Sequence, residues 1–221
     1  MDLPYIDFHS HKETSVSDIL TIRSFDTKEI TQLTDQPSSL GIHPWSLNRE
    51  SYPLQLEILE KYSMDKNIFF LGETGLDSLV GEDKELQEES FRFHIQLSEQ
   101  IQKPIVVHCV RSYHTLFKIH KIMKPKQKWI LHGFQARRDV FIECTRRGFY
   151  FSLGNALIKN SSLRSYVSEI PRDKIFFESD DSSFAIEKLY QEYSLLTNQS
   201  ISDLKKQIAS NFLSLDVPYE F

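Results

Sequence analysis

Two histidines one residue apart, His9 and His11, close the first apolar run of the chain, Tyr5-Ile6-Asp7-Phe8. In extended backbone, residues i and i+2 face the same side, so both imidazoles converge on one point. That convergence suits a divalent cation, for which neutral imidazole is a common ligand. A lone His-x-His pair is a weak signal, but the placement recurs. Glu73 follows the run Asn67-Ile68-Phe69-Phe70-Leu71, His108 follows Pro104-Ile105-Val106-Val107, His132 follows Lys128-Trp129-Ile130-Leu131, and Asp180 follows Lys174-Ile175-Phe176-Phe177. Four histidines and two carboxylates exceed the needs of one tetrahedral ion. They fit two ions that share a bridging carboxylate, about 3.5–4 Å apart.

The elements that must position these groups follow from the same pattern. Short apolar runs without polar alternation indicate strands buried on both faces, hence a parallel sheet. Between them lie segments with helical spacing: Leu54, Ile58, Leu59 and Tyr62 behind Pro53; Leu86, Phe93, Leu97 and Ile101; Leu116, Ile119 and Met123; Val140, Phe141 and Cys144, closed by Gly148. Ser161 to Ile170 reads as a short helix, and two helices end the chain, the second opened by the capping pair Ser200 and Asp203. Seven to eight such β/α repeats predict an α/β protein, a single TIM-like (β/α) barrel domain over residues 1–221. In that fold the C-terminal strand ends share one face, where active sites form. The second repeat is expected to be atypical. Lys12 to Ser17 reads as a loop and Ile19 to Phe25 has strand composition, whereas Asp26 to Gln36 is polar and ambiguous, with a short helix expected in part of it at most. His43 sits at a strand end, because Pro44 holds it extended.

Composition bounds the function. The chain has 221 residues, 40% of them hydrophobic, and a formal charge of −5. That charge argues against holding nucleic acid by general electrostatics. The two cysteines, Cys109 and Cys144, read as reduced thiols of a cytoplasmic protein rather than a disulfide framework. No apolar run reaches the roughly 18 residues of a membrane span, so no membrane partner is expected.

The motifs Asp7-Phe8-His9-Ser10-His11, Gly41-Ile42-His43-Pro44, Gly72-Glu73-Thr74-Gly75-Leu76-Asp77, Val107-His108-Cys109, Leu131-His132-Gly133-Phe134 and Glu178-Ser179-Asp180 come in the order found in one family. With them the sequence resembles the TatD-related metal-dependent hydrolases, a branch of the amidohydrolase-like barrels. Asn211-Phe212-Leu213 is similar to the closing helix of that family. The resemblance implies one or two divalent ions (Mg²⁺, Mn²⁺ or Zn²⁺) and phosphodiester hydrolysis, as in a DNase with 3′→5′ exonuclease activity on DNA; the low basic content of the chain points to short or single-stranded ends as the substrate. It implies that His9 and His11 hold the first ion, that Glu73 bridges, and that His108 and His132 hold the second. Asp180 would bind the first ion and accept a proton from the attacking water. The chain departs from the pattern in its short stretch between His11 and Gly41, and in Arg111 standing three residues after His108 instead of two.

Further candidates are polar residues near these strand ends. His43, Arg111 and Lys159 are placed to meet substrate, Asp77 to orient a ligand or cap a turn, and Trp45 to stack on a base. His94, His114 and His120 fall on predicted helices and read as packing or surface residues. Two other functions compete with the nuclease: hydrolysis of another ester or amide in the same pocket, such as an aminoacyl ester on tRNA, and a non-catalytic scaffold. No stable protein partner is expected.

Overall fold

The computed structural model describes residues 3–12, 16–30, 35–80 and 83–221. Eight strands form one sheet in chain order: β1 (Tyr5–Ser10), β2 (Ile19–Asp26), β3 (Ser38–Gly41), β4 (Ile68–Asp77), β5 (Ile105–Val110), β6 (Trp129–Leu131), β7 (Tyr150–Leu153) and β8 (Ile175–Phe177). The helices between them are α1 (Tyr52–Ser63), α2 (Lys84–Ile101), α3 (Tyr113–Met123), α4 (Arg138–Arg146), α5 (Ala156–Lys159) and α6 (Ser161–Tyr166), with α7 (Ile186–Thr197) and α8 (Ile201–Leu213) after the last strand. This is the expected parallel (β/α) barrel, with eight strands. A bridge between Ser10, at the end of β1, and Asp180, just past β8, joins the first strand to the last. The chain divides into two compact units, residues 24–130 and residues 1–23 with 131–221.

In the 24–130 unit every residue of β4 is buried, which explains its unalternating sequence. The register of β4 against β5 shifts between Leu71 and Thr74, where Glu73 lies. A shift of this kind re-aims a side chain. Gly72 and Gly75 permit it. Both have positive φ, and a Cβ on Gly75 would run into the His108 carbonyl oxygen, as one on Gly72 would into that of Val106.

In the other unit, β1 shifts register against β2 between Asp7 and Ser10, around His9. Phe8 stacks on Phe176 with ring centroids 4.4 Å apart, and Phe177 packs on Tyr190 at 4.7 Å. The Tyr190 hydroxyl accepts from the Ile6 N–H and donates to the Ile6 carbonyl. From α8, Asn211 donates to the carbonyls of Arg172 and Ile175, fixing the entry to β8.

Two expectations change. Leu54 is 58% exposed, and α1 packs through Tyr52, Gln55 and Leu59 instead. The segment read as one helix from Ser161 to Ile170 is α6 followed by a 3₁₀ turn, Val167–Glu169. After β2, residues Thr27 to Glu29 form a turn, and the rest of the short helix considered there lies partly outside the described residues, as does the loop from Lys12 to Ser17. Of the two readings of His94, packing or surface, the structure gives packing: it is fully buried in α2. Its Nδ1 meets the Ser90 carbonyl at 2.7 Å, and its Nε2 accepts the Ile42 N–H at 3.1 Å. That pattern requires a neutral ring with the proton on Nδ1.

Burial lowers the His94 pKa from 6.5 to about 4. Below pH 6.5 the unfolded chain therefore binds a proton that the fold refuses. Stability from this residue is complete above pH 6.5 and falls as pH drops towards 4, by about 3 kcal/mol over the window. Asp7, raised by burial to about 6, acts with the opposite sign below that pH. Comparing variants isolates the histidine. Urea unfolding of wild type and His94→Gln at pH 7.5 and pH 5 should show a smaller pH-dependent change in the variant; equal changes would show that His94 is not the group responsible.

Candidate metal centre

The 24–130 unit gathers His43, Glu73 and His108 so that their ligand atoms lie within 4.8 Å of one another. His43 follows β3 and opens the 3₁₀ turn Pro44–Ser46. Its backbone N–H donates to Asp26 Oδ2, which also accepts from Ser46 Oγ. The His43 Nδ1 accepts the Trp45 backbone N–H at 3.1 Å, which assigns the ring proton to Nε2, facing Glu73 Oε1 at 2.9 Å. His43 thus stands as a donor towards Glu73. His108 meets two carboxylates, Glu73 Oε1 at 2.7 Å from Nδ1 and Asp77 Oδ2 at 3.0 Å from Nε2. A neutral imidazole carries one N–H. With that proton on Nε2 towards Asp77, the Nδ1 lone pair and the Glu73 carboxylate are two donors suited to one cation.

Asp77 does both things considered for it. Its Oδ1 accepts the Leu79 N–H and caps the turn, while its Oδ2 accepts from Trp45 Nε1 at 2.8 Å as well as facing His108. Burial pushes its carboxyl up, but the hydrogen bonds from Trp45, His108 and Leu79 outweigh burial and hold it below the usual carboxylate range. Cys109, beside His108, is pushed up to about 12 by burial, so it stays a thiol and not a thiolate ligand.

The other unit gathers His9, His11 and Asp180. Asp180 Oδ1 lies 3.9 Å from His9 Nε2 and 3.6 Å from His11 Nε2. Ligand atoms bonded to one tetrahedral ion at about 2.1 Å stand roughly 3.4 Å apart, so these three fit an ion with little movement. The Asp180 backbone, at φ +52°, donates its N–H to the His9 carbonyl and thereby turns the carboxylate back over β1. Lys12 Nζ donates to the carbonyls of Asp181 and Ser182, tying the next turn to the same strand end. His132 packs against His9 with ring centroids 4.5 Å apart, and its Nδ1 lies 3.4 Å from Glu178 Oε1.

Two acidic residues that sequence reasoning left without a role belong to this region. Glu178, with 0% exposure, accepts the Gly133 N–H at 2.6 Å and faces His132, as an orienting carboxylate does. Asp7 accepts the Ser179 N–H at 2.8 Å, and burial raises its pKa to about 6. Both carry a signal in the chain. Glu178 directly follows an apolar run, and Asp7 is a carboxylate inside one.

A cavity of about 540 Å³ in this unit is lined by Gly133, Asn155, Lys159, Glu178, Asp180 and Ser182. Lys159 therefore shares a space with Asp180. Arg111 is exposed just beyond β5 at φ +50°. Of the helical histidines, His114 is exposed and His120 packs edgewise on Trp129. Among the described residues no helix is long and apolar enough to cross a membrane.

The model of the family described as TatD related DNase matches residues 7–215. An uncharacterized metal-dependent hydrolase of Escherichia coli K12, YcfH, is 31% identical over 151 residues, which is 66% of this chain and 56% of that protein. A Buchnera aphidicola protein described in the same words is 31% identical over 64% of this chain and 57% of its own length. The chain thus matches little more than half the length of these relatives. The human deoxyribonuclease TATDN3 is 26% identical over 75% of this chain and 66% of its own. The crystal structure of YjjV, a TatD homologue from E. coli K12, superposes with a TM-score of 0.80 at 18% identity, covering 97% of this chain and 98% of that one.

The hydrogen bond from His108 to Asp77 generates a test. Replacing Asp77 by Ala removes the acceptor that fixes the ring proton on Nε2. Calorimetric titration with Zn²⁺ or Mn²⁺ should show affinity at the 24–130 group falling about 10–100-fold. Unchanged affinity would mean that Asp77 only caps its turn.

Proposed function

The chain belongs to the TatD-related DNase family, and from that premise we propose that it is a divalent-metal-dependent deoxyribonuclease that shortens single-stranded DNA from its 3′ ends. The observation that carries the reading is the His9–His11–Asp180 group, spaced for an ion at 3.6 and 3.9 Å, whose carboxylate also borders the cavity that holds Lys159. In this reading His9, His11 and Asp180 hold one ion, and Glu73 and His108 hold another. Imidazole and carboxylate together accept Zn²⁺, Mn²⁺ or Mg²⁺. When bound, such ions offset charge on phosphate oxygens and lower the pKa of water.

The residues of the chain do the rest. Asp180 accepts the proton of the attacking water as general base. Lys159, on the cavity wall beside Asp180, and Arg111, exposed beyond β5, offer cations to phosphate. His43, with its proton on Nε2, donates a hydrogen bond near Glu73. A formal charge of −5 leaves little general attraction for long DNA, which favours short single strands gripped by local contacts. Cys109 and Cys144 are not disulfide-linked, which suits a cytoplasmic enzyme.

Metal-stripped protein, with Mg²⁺, Mn²⁺ or Zn²⁺ restored, is expected to degrade 3′- and 5′-labelled single-stranded DNA from the 3′ end. Asp180→Asn should lose activity by a factor on the order of 10²–10⁴ with an unchanged circular dichroism spectrum. Cleavage of charged tRNA but not DNA would move the reading to another ester in the same pocket. Inactivity on all substrates in metal-loaded protein would favour a scaffold.

A further inference from the structure

The chain has two tryptophans, and they sit in opposite environments. Trp129, in β6, is 2% exposed, whereas Trp45 is 63% exposed. An exposed indole on a short turn is ordinarily loose, but Trp45 is held at both ends. Its backbone lies in the 3₁₀ turn Pro44–Ser46, where its N–H donates to His43 Nδ1 at 3.1 Å and the Ser46 hydroxyl is fixed on Asp26. Its indole N–H donates at 2.8 Å to Asp77 Oδ2, the same oxygen that faces His108. The His43 ring stands 5.0 Å from the indole at 87°, and the His108 ring 6.2 Å from it at 76°. A large flat ring is thus immobilised beside the His43–Glu73–His108 group while most of its surface stays open to solvent.

Such a surface has one evident use. A flat ligand stacking on an already immobilised ring does not have to order that ring first, so less of the contact is lost to entropy. Every nucleobase has a π-face, and stacking on an aromatic side chain holds a single strand without regard to sequence. A protein of formal charge −5 needs this kind of grip, because phosphate attraction alone does not supply it. We propose that Trp45 is the stacking platform for a nucleobase of the substrate strand, on a nucleotide adjoining the phosphate at the Glu73–His108 group. The proposal rests on the nuclease reading for its substrate, and on the anchoring of Trp45 for its geometry.

The test uses metal-loaded full-length protein with 2′-deoxyadenosine 5′-monophosphate and deoxyribose 5-phosphate as probes. Because Trp129 is buried, fluorescence quenching reports on Trp45. The deoxynucleotide should quench and the base-free sugar phosphate should not. Calorimetry should show affinity for the deoxynucleotide falling about tenfold or more in Trp45→Leu. Trp45→Phe keeps a ring but lacks the indole N–H, and should retain most of the affinity. Equal losses in the two variants would assign the effect to the hydrogen bond on Asp77 and overturn the platform. Equal affinity of wild type and Trp45→Leu, or equal quenching by both probes, would also overturn it. A parallel DNA-cleavage assay separates the two claims. Base-dependent quenching without cleavage sinks the nuclease and keeps the platform. Metal-dependent cleavage without base-dependent binding does the reverse.

Discussion

A carboxylate taken out of water must be given donors or a cation, since leaving it bare is far costlier than any single packing contact returns. Asp7, Glu73, Asp77 and Glu178 are all buried in or next to strands whose other residues are apolar. Much of what surrounds them answers that demand. Asp77 is met by Trp45, His108 and Leu79, Glu178 by the Gly133 N–H and His132, Asp7 by Ser179, and Glu73 by His43. The histidines are oriented as a consequence. The glycines beside Glu73 and the register shift in β4 are the backbone side of the same solution.

The two ligand groups meet this demand differently. In the 24–130 unit Glu73 already stands 2.7 Å from His108 and 2.9 Å from His43, so an ion entering there competes with the hydrogen bond from His43. In the other unit His9, His11 and Asp180 stand 3.6 and 3.9 Å apart, wide enough for an ion without such displacement. His11 and Asp180 are also partly exposed, whereas His9, Glu73 and His108 are buried. An ion at the open group would therefore exchange with solvent more readily than one at the closed group.

Much of this was legible in the chain because the barrel couples position to chemistry. A strand buried on both faces shows as an unbroken apolar run, and the first residue able to bind a metal after it marks the strand end. His9, Glu73, His108 and His132 follow from that rule. Glu178 satisfied it too, but Asp180 two residues later drew the assignment, and only the backbone turn at Asp180 separates their roles. The burial of His94 was hidden because an imidazole on a helix looks polar until its two partners, the Ser90 carbonyl and Ile42 N–H, are known. Leu54 misled for the opposite reason, since helical spacing does not say which of two faces meets the sheet. The hold on Trp45 joins residues 32 positions apart and has no local signature.

The claim on which the rest stands is that strand-end histidines and carboxylates hold divalent ions in two groups, one in each compact unit. Metal content by elemental analysis, after reconstitution and desalting, tests it directly on wild type, His9→Ala with His11→Ala, and His108→Ala. The account predicts two ions per wild-type chain and a loss of about one in each variant, with the fold retained by circular dichroism. Wild-type protein that keeps no ion, or variants that keep the full wild-type content, would contradict it.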